Sequence, residues 1–138
     1  MIFLDTSAII AALSPAQRAH QACARALYES DQSRILSPFV LAELDYFILK
    51  YANVSTELRF LDEVTHGAYE LASFSAQDLE EAMSIIQTYH DLNVGLADAS
   101  IVVLANRYQC RDVLTLDERH FRTLRFGRRS FRILPADA

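Results

Sequence analysis

The sequence is poor in residues that interrupt or cross-link a chain: its 138 residues include three glycines, three prolines, two cysteines and no tryptophan. So few glycines and prolines exclude a long flexible linker, and the length is typical of one domain. We therefore expect residues 1–138 to form a single domain. A domain of this size buries about 70% of the surface that its unfolded chain exposes, so it needs no disulfide or structural metal to fold. Cys23 and Cys110 show no metal-ligand spacing, and we expect both to be reduced thiols in helices.

Long hydrophobic runs are also missing. The unbroken apolar runs, among them Ala8 to Leu13 and Ile101 to Ala105, span at most six residues, far short of the roughly 20 residues that a membrane span needs. The N-terminus has no basic region, and Asp5 interrupts its apolar stretch, so we do not expect a signal peptide. The sequence therefore predicts a cytoplasmic protein with no membrane partner.

Lysine is scarce: the chain has one lysine, Lys50, and twelve arginines. Its net charge is -5. Residues 1–106 hold five basic and 14 acidic residues, whereas residues 107–138 hold eight and four. Six of the late arginines form an arginine cluster: Arg119, Arg122, Arg125, Arg128, Arg129 and Arg132. This cluster fits a solvated charged face, and it also fits a surface that contacts phosphates or an acidic partner.

Short apolar segments alternate with helical patterns along the chain. The predicted strands are Ile2 to Leu4, Arg34 to Leu36, Ala68 to Phe74, Val113 to Leu116 and Ser130 to Leu134. This alternation predicts an α/β fold with a central parallel sheet of about five strands between two layers of helices.

Serine caps mark the predicted helix starts. Ser14-Pro15 and Ser37-Pro38 each place proline at the first helical position, and Ser75 stands at a third start. The helix after Ser37 should reach about Ala52 with its apolar side formed by Phe39, Leu44, Phe47 and Ile48.

Four acids lie beside core-forming segments. Asp5 and Asp117 follow apolar strands, whereas Glu43 and Asp98 are expected in the first turns of helices. In a parallel sheet, strands end and the following helices begin at the same edge, near the point where strand order reverses. We therefore expect the four carboxylates to converge at that edge.

Such a cluster needs protonation or a cation to offset the repulsion between its charges. Two carboxylates 4 Å apart repel by about 4 kcal/mol at an effective dielectric near 20. Hard oxygen ligands favour Mg²⁺ or Mn²⁺, and the four histidines show no zinc-ligand spacing. A pair of such cations can hold a scissile phosphate and activate water without a protein nucleophile. The hydroxyls of Thr6, Ser7 and Thr115 are placed to orient a carboxylate or a metal-bound water.

Simpler interpretations remain for each residue alone. Asp98 can be a first-turn acid favoured by the helix dipole, Asp117 can cap a short helix, and Thr6 and Ser7 can make local turn bonds. A phosphatase with an aspartyl nucleophile needs a second acid two positions after the first, where this chain has Ser7. A non-enzymatic module that binds a metal or a basic peptide also fits.

Four short motifs, in order along the whole chain, resemble those of the PIN domain and specifically of VapC-type toxins from bacterial toxin–antitoxin systems. They are Phe3-Leu4-Asp5-Thr6-Ser7-Ala8, Ser37-Pro38 with Ala42-Glu43-Leu44, Leu96-Ala97-Asp98-Ala99-Ser100-Ile101, and Leu114-Thr115-Leu116-Asp117-Glu118-Arg119-His120-Phe121. We expect His120 to pack or hydrogen-bond beside Asp117.

The resemblance implies a Mg²⁺- or Mn²⁺-dependent endoribonuclease with an α/β/α sandwich, in which Asp5, Glu43, Asp98 and Asp117 form the catalytic metal site. It also implies a homodimer, a structured RNA substrate such as tRNA or ribosomal RNA, and a cognate antitoxin whose C-terminal tail blocks the site. A PIN-like metal-binding or RNA-processing protein outside a toxin–antitoxin pair is the alternative.

Overall fold

A parallel sheet occupies the centre of the molecule. The computed structural model describes residues 1–138. Its strands are β1 (Ile2–Leu4), β2 (Arg34–Leu36), β3 (Glu70–Leu71), β4 (Asp112–Leu114), β5 (Arg125–Phe126), β6 (Arg129–Ser130) and β7 (Arg132–Leu134). Five of them form one sheet in the order β3-β2-β1-β4-β7, and every pairing in it is parallel. The predicted α/β fold with a five-stranded parallel sheet is confirmed.

Seven α-helices flank the sheet. They are α1 (Thr6–Leu13), α2 (His20–Tyr28), α3 (Pro38–Tyr51), α4 (Val54–Thr65), α5 (Ala76–Thr88), α6 (Leu96–Tyr108) and α7 (Glu118–Phe121). A 3₁₀ turn at His90–Leu92 precedes α6. The antiparallel hairpin of β5 and β6 was not predicted, because each strand is only two residues long.

The strand order reverses between β1 and β4. From β1 the chain moves outward through β2 to β3, and it then returns to the other side of β1 with β4 and β7. Asp5 leaves β1 at this point, and its N–H donates to the Leu114 carbonyl of β4 at 3.0 Å. The fold therefore opens a crevice at the carboxyl ends of these two strands.

Two elements are buried on all sides. Every residue of β1 is buried, and so are the residues of α6 from Ala99 to Ala105. A strand covered on both faces is apolar throughout rather than alternating, and a helix apolar all round lies in the core. This packing fixes the backbone from which Asp5 and Asp98 project. No helix here combines the length and the apolar character needed to cross a bilayer.

One predicted helix start is wrong. The chain turns over residues 15–19, and α2 begins only at His20. Ser14 instead ends α1, with its N–H bonded to the Ala11 carbonyl, while its own carbonyl accepts from Gln17. The starts at Ser37 and Ser75 are confirmed: Ser37 accepts from the N–H of Phe39, and Ser75 forms a reciprocal capping box with Asp78.

The third strand is shorter than predicted. The N–H groups of Gly67 and Ala68 bond back to the carbonyls of Val64 and Glu63, which closes the end of α4. Gly67 has φ 86°, a left-handed conformation that glycine adopts without strain. These residues belong to the helix end, so the strand is limited to Glu70–Leu71 at the sheet edge.

The apolar side of α3 also differs from the prediction. Val40 and Leu44 are the buried residues of this helix, whereas Phe47 is 38% exposed and Phe39 and Ile48 are half-buried. Aromatic surface on α3 is therefore left open to solvent.

Cys23 is buried in α2 as expected, but Cys110 follows α6 rather than lying in a helix.

Candidate metal centre

The backbone brings all four predicted acids to the crevice from separate elements. Asp5 is the residue before α1 and makes no side-chain cap, so its carboxylate is free to serve the crevice. Asp117 follows β4 by three positions, and Asp98 is the third residue of α6. Glu43 is the sixth residue of α3 and so lies in its second turn, not the first as predicted.

Hydroxyl groups hold the Asp5 carboxylate. Its Oδ2 accepts from Thr115 Oγ1 at 2.6 Å and from Ser7 Oγ at 2.9 Å. Thr115 Oγ1 in turn accepts from the N–H of Asp117 at 2.9 Å, and Ser7 Oγ accepts from the N–H of Leu116 at 3.0 Å. These bonds tie the end of β1 to the loop after β4.

Glu43 joins the cluster through a neighbouring hydroxyl. Thr6 Oγ1 donates to Glu43 Oε1 at 2.6 Å. Glu43 is an exposed residue of α3, whereas Thr6 is buried at the start of α1. The bond therefore turns an outer side chain toward Asp5, whose pKa is raised first by burial and to a smaller extent by the Glu43 charge.

His120 links the other two acids. Its Nδ1 lies 2.8 Å from Asp117 Oδ2 and 3.1 Å from Asp98 Oδ2, and its Nε2 lies 2.9 Å from the Leu92 carbonyl oxygen. The contact with Asp117 was expected, but those with Asp98 and Leu92 were not. The three-residue spacing of Asp117 and His120 in the sequence predicts that both lie on one side of a helical turn. No feature of the sequence predicts the contact of His120 with Leu92.

Asp117 has two roles at once. Its Oδ1 accepts from the N–H of His120 at 3.0 Å and caps α7, while Oδ2 faces the crevice. Asp117 therefore caps α7 and also contributes an oxygen to the acidic cluster, so the two interpretations of this residue are compatible. The short helix α7 fixes both Asp117 and His120 in place.

Burial and mutual repulsion shape the charges of this cluster. Asp5 is 5% exposed, and the Asp98 and Asp117 side chains are 17% and 32% exposed. Burial raises the pKa of Asp5, although hydrogen bonds from Thr115 and Ser7 oppose the change. Burial and then the charge of Asp5 raise the pKa of Asp98 to about 6, against the opposing effect of His120. The crevice therefore concentrates negative charge that the fold alone does not neutralise.

Neutralising Asp98 should stabilise the metal-free protein. The pKa of Asp98 rises from 3.8 to about 6, so the folded state holds this proton more tightly than the unfolded chain, and the contribution of Asp98 to stability falls as pH rises across that range. We expect Asp98→Asn to match the parent near pH 3.5 and to exceed its free energy of unfolding by about 2 kcal/mol at pH 7, at roughly 1.4 kcal/mol per pKa unit less some solvent screening.

The measurement is urea unfolding in EDTA at several pH values. Asp91→Asn is the matched control, because that side chain is 92% exposed and its loss should change little. Equal stabilities of parent and Asp98→Asn at pH 7 would contradict the expected repulsion.

Some arginines of the arginine cluster are bonded within the protein, and the others are exposed to solvent without an ion pair. Arg122 binds Asp137 and Glu118, and Arg132 binds Asp112. Arg125 donates to three backbone carbonyls, those of residues 122, 123 and 124. Arg119, Arg128 and Arg129 are exposed and form no ion pair. Arg122 and Arg132 are therefore paired with acids of the same chain, and Arg119, Arg128 and Arg129 carry the charges of this cluster that form no ion pair.

The donor set fits a divalent cation. Asp98, Asp117 and His120 each direct one ligand atom into a group in which these atoms lie within 4.8 Å of one another. Asp5 and Glu43 lie outside this group, but the charge of Asp5 acts on Asp98 and the charge of Glu43 acts on Asp5. Oxygen-rich sites of this kind suit Mg²⁺ and Mn²⁺, and no thiol is near enough to favour a softer metal.

Comparisons with known proteins agree with this architecture. A 42% identical relative over 135 residues is Ribonuclease VapC26 of Mycobacterium tuberculosis (strain ATCC 25618 / H37Rv), with 97% of this chain and 100% of that protein aligned. The crystal structure of Mycobacterium tuberculosis VapC20, a sarcin-ricin loop cleaving toxin, superposes with a TM-score of 0.78 at 14% identity over 86% of this chain and 91% of that one. VapBC2 from Rickettsia felis, bound to a promoter DNA fragment, gives 0.67 at 19% identity over 96% and 98%.

The distantly related structures show a shared fold, whereas membership of a family is shown by sequence similarity. The family model of the PIN domain matches residues 2–127, which include all four acids of the crevice and His120. Together with the 42% identical relative, this match shows that the chain belongs to the PIN domain family.

Proposed function

We propose that this protein is an endoribonuclease that depends on Mg²⁺ or Mn²⁺ and acts as the toxin of a toxin–antitoxin pair. The observation that carries the proposal is the convergence of Asp5, Asp98 and Asp117, with Glu43 beside them, at the point where strand order reverses. The 42% identical relative is named a ribonuclease, which supports RNA as the substrate.

Each residue has a proposed role in this reaction. Asp5, Glu43, Asp98 and Asp117 are the catalytic acids that hold the cation. Thr115 and Ser7 orient Asp5, and Thr6 orients Glu43. A divalent ion bound there supplies charge neutralisation at the scissile phosphate and an activated water. The Ser7, Thr6 and Thr115 hydroxyls are engaged with carboxylates rather than with a histidine base, so we assign no protein nucleophile.

The substrate class follows from the charge around the crevice. The acidic cluster repels phosphates until a cation is bound, so another surface must attract the RNA. The exposed Arg119, Arg128 and Arg129 are placed on the elements after Asp117 and are free to contact phosphates. A structured RNA such as tRNA or ribosomal RNA suits a compact crevice, because its loops present accessible single-stranded segments.

The proposed partners are an antitoxin and a second copy of the chain. Complexes of toxin with antitoxin are among the similar folds, including one from Klebsiella pneumoniae. A groove of about 690 Å³ between α1, α3 and α4 is lined mainly by apolar side chains, among them Phe47, Ile48 and Tyr51. Tyr46 and Leu58 add exposed apolar surface on α3 and α4. Apolar surface of this kind is typical of protein interfaces.

Metal-dependent RNA cleavage is the test. Purified protein should cut a mixture of tRNA and ribosomal RNA in Mg²⁺ or Mn²⁺ and leave it intact in EDTA, with activity restored when excess metal is added back. Ca²⁺ serves as the matched control, because its larger and looser coordination shell gives poor catalysis in sites shaped for Mg²⁺.

The other interpretations predict different results. A non-catalytic binding module binds the metal, seen as a raised melting temperature, and cuts no RNA under any condition. Cleavage that persists in EDTA contradicts a metal-dependent mechanism. A nuclease that cuts RNA but whose expression does not arrest growth, and for which no neighbouring small protein relieves toxicity, belongs to RNA processing outside a toxin–antitoxin pair.

A further inference from the structure

His120 is the one nitrogen donor in a crevice otherwise made of oxygen. Its side chain is 18% exposed, and it stands between Asp98 and Asp117 on a helix of four residues. We infer that Nδ1 of His120 binds the catalytic cation directly, and that this nitrogen makes the site prefer Mn²⁺ over Mg²⁺. This inference rests on the proposed function, because it concerns the same cation.

The Leu92 carbonyl fixes which ring nitrogen faces the site. A carbonyl oxygen only accepts hydrogen bonds, so the contact of 2.9 Å requires the hydrogen on Nε2. Nδ1 is the nitrogen directed at the carboxylates. Carboxylate oxygens also only accept hydrogen bonds, so without an ion Nδ1 carries a hydrogen too, and a cation bound there would take the place of that proton. Metal-binding imidazoles in proteins usually donate their second N–H to a carbonyl or carboxylate in this way, because that bond sets the tautomer and the ring orientation.

The spacing of the donor atoms is also suitable. Nδ1 lies 2.8 Å from Asp117 Oδ2 and 3.1 Å from Asp98 Oδ2. Adjacent ligands of an octahedral ion held at about 2.1 Å are about 3 Å apart. The three atoms can therefore act as neighbouring ligands with little movement, and the bond to Leu92 together with the cap of α7 opposes any rotation of the ring away from the site.

Metal preference follows from the chemistry of the donor. Mg²⁺ favours an all-oxygen shell and retains its waters, whereas imidazole nitrogen suits first-row transition metals better. Replacing one oxygen donor by nitrogen therefore adds more affinity for Mn²⁺ than for Mg²⁺. An all-carboxylate crevice without His120 would discriminate less between the two ions.

Two variants separate the ring nitrogens. His120→Gln keeps a donor near the Nε2 position for the Leu92 carbonyl and removes Nδ1. His120→Asn keeps an oxygen ligand near the Nδ1 position and gives up the bond to Leu92. Titration calorimetry of the full chain with Mn²⁺ and with Mg²⁺ should show His120→Gln weakening Mn²⁺ binding by about tenfold or more, while Mg²⁺ binding changes by less than about threefold.

A spectroscopic measurement on the unaltered protein keeps the inference falsifiable even if the variants fold poorly. The pulsed electron paramagnetic resonance spectrum of bound Mn²⁺ should contain a coupling to imidazole nitrogen, and Asp98→Asn should abolish that signal by weakening the ion's binding. Mn²⁺ bound at the acids without nitrogen coupling would overturn the inference and leave metal-dependent cleavage intact. Nitrogen coupling without any RNA cleavage would support the ligand and count against the proposed nuclease instead.

Discussion

Asp98→Asn and Asp5→Asn should each reduce RNA cleavage by about 10³-fold, because each removes a charged ligand from the crevice and several kcal/mol of transition-state stabilisation with it. Asp98 is the better probe, since the change relieves repulsion within the cluster and the protein should remain folded. The rate is measured on a defined RNA hairpin cut by the parent, in Mn²⁺ and in Mg²⁺ at saturating protein.

Asp91→Asn is the matched control for this experiment. It makes the same chemical change seven positions earlier, on a side chain that is 92% exposed and bonded to His90 outside the crevice. We expect full activity from this variant. If Asp98→Asn retains more than about a tenth of the parent rate while its metal affinity has fallen, the crevice is not where the RNA is cut.

Phe121→Ala should lower the free energy of unfolding by about 4 kcal/mol. Phe121 has no exposed surface, and its ring meets that of Phe131 edge to face at a centroid distance of 5.4 Å. It is the buried residue of α7, so the cavity left behind weakens the element that holds Asp117 and His120. A loss of this size is a large fraction of the 5 to 15 kcal/mol typical of a domain.

Urea unfolding measures the effect, and two other variants give it a scale. Phe121→Leu keeps most of the buried volume and should cost less than about 1.5 kcal/mol. Phe47→Ala removes the same ring from a position that is 38% exposed and should cost distinctly less than Phe121→Ala. If Phe121→Ala and Phe47→Ala are equally destabilising, α7 does not depend on its buried ring.

The sheet and the residues after its strands could be predicted because their signals are local. Ile2 to Leu4 is apolar without alternation, which only a strand covered on both faces requires, and Asp5 must then follow at its carboxyl end. Ser37-Pro38 set the start of α3 correctly, since cap and proline act on the adjacent turn. The same pair of residue types failed at Ser14-Pro15, because Ser14 was already bonded to the end of α1.

The contacts within the site could not be predicted from the sequence. Thr115 reaches Asp5 across 110 positions, and His120 reaches the carbonyl of Leu92 across 28. Such pairs depend on the register between β1 and β4 and on the path of the loop before α6. A backbone carbonyl also carries no signature of residue type, so the contact of His120 with Leu92 could not be predicted from the sequence.

The bond between Thr115 and Asp5 has a consequence for synthesis of the protein. The two residues lie 110 positions apart, so the crevice can form only after β4 has been synthesised and has paired with β1. A growing chain that has emerged only as far as α5 contains Asp5 and Glu43 but neither Asp98 nor Asp117. If the proposed site is the one that cuts RNA, a nascent chain therefore has no nuclease activity until the segment with Asp98 and Asp117 has emerged and packed against β1.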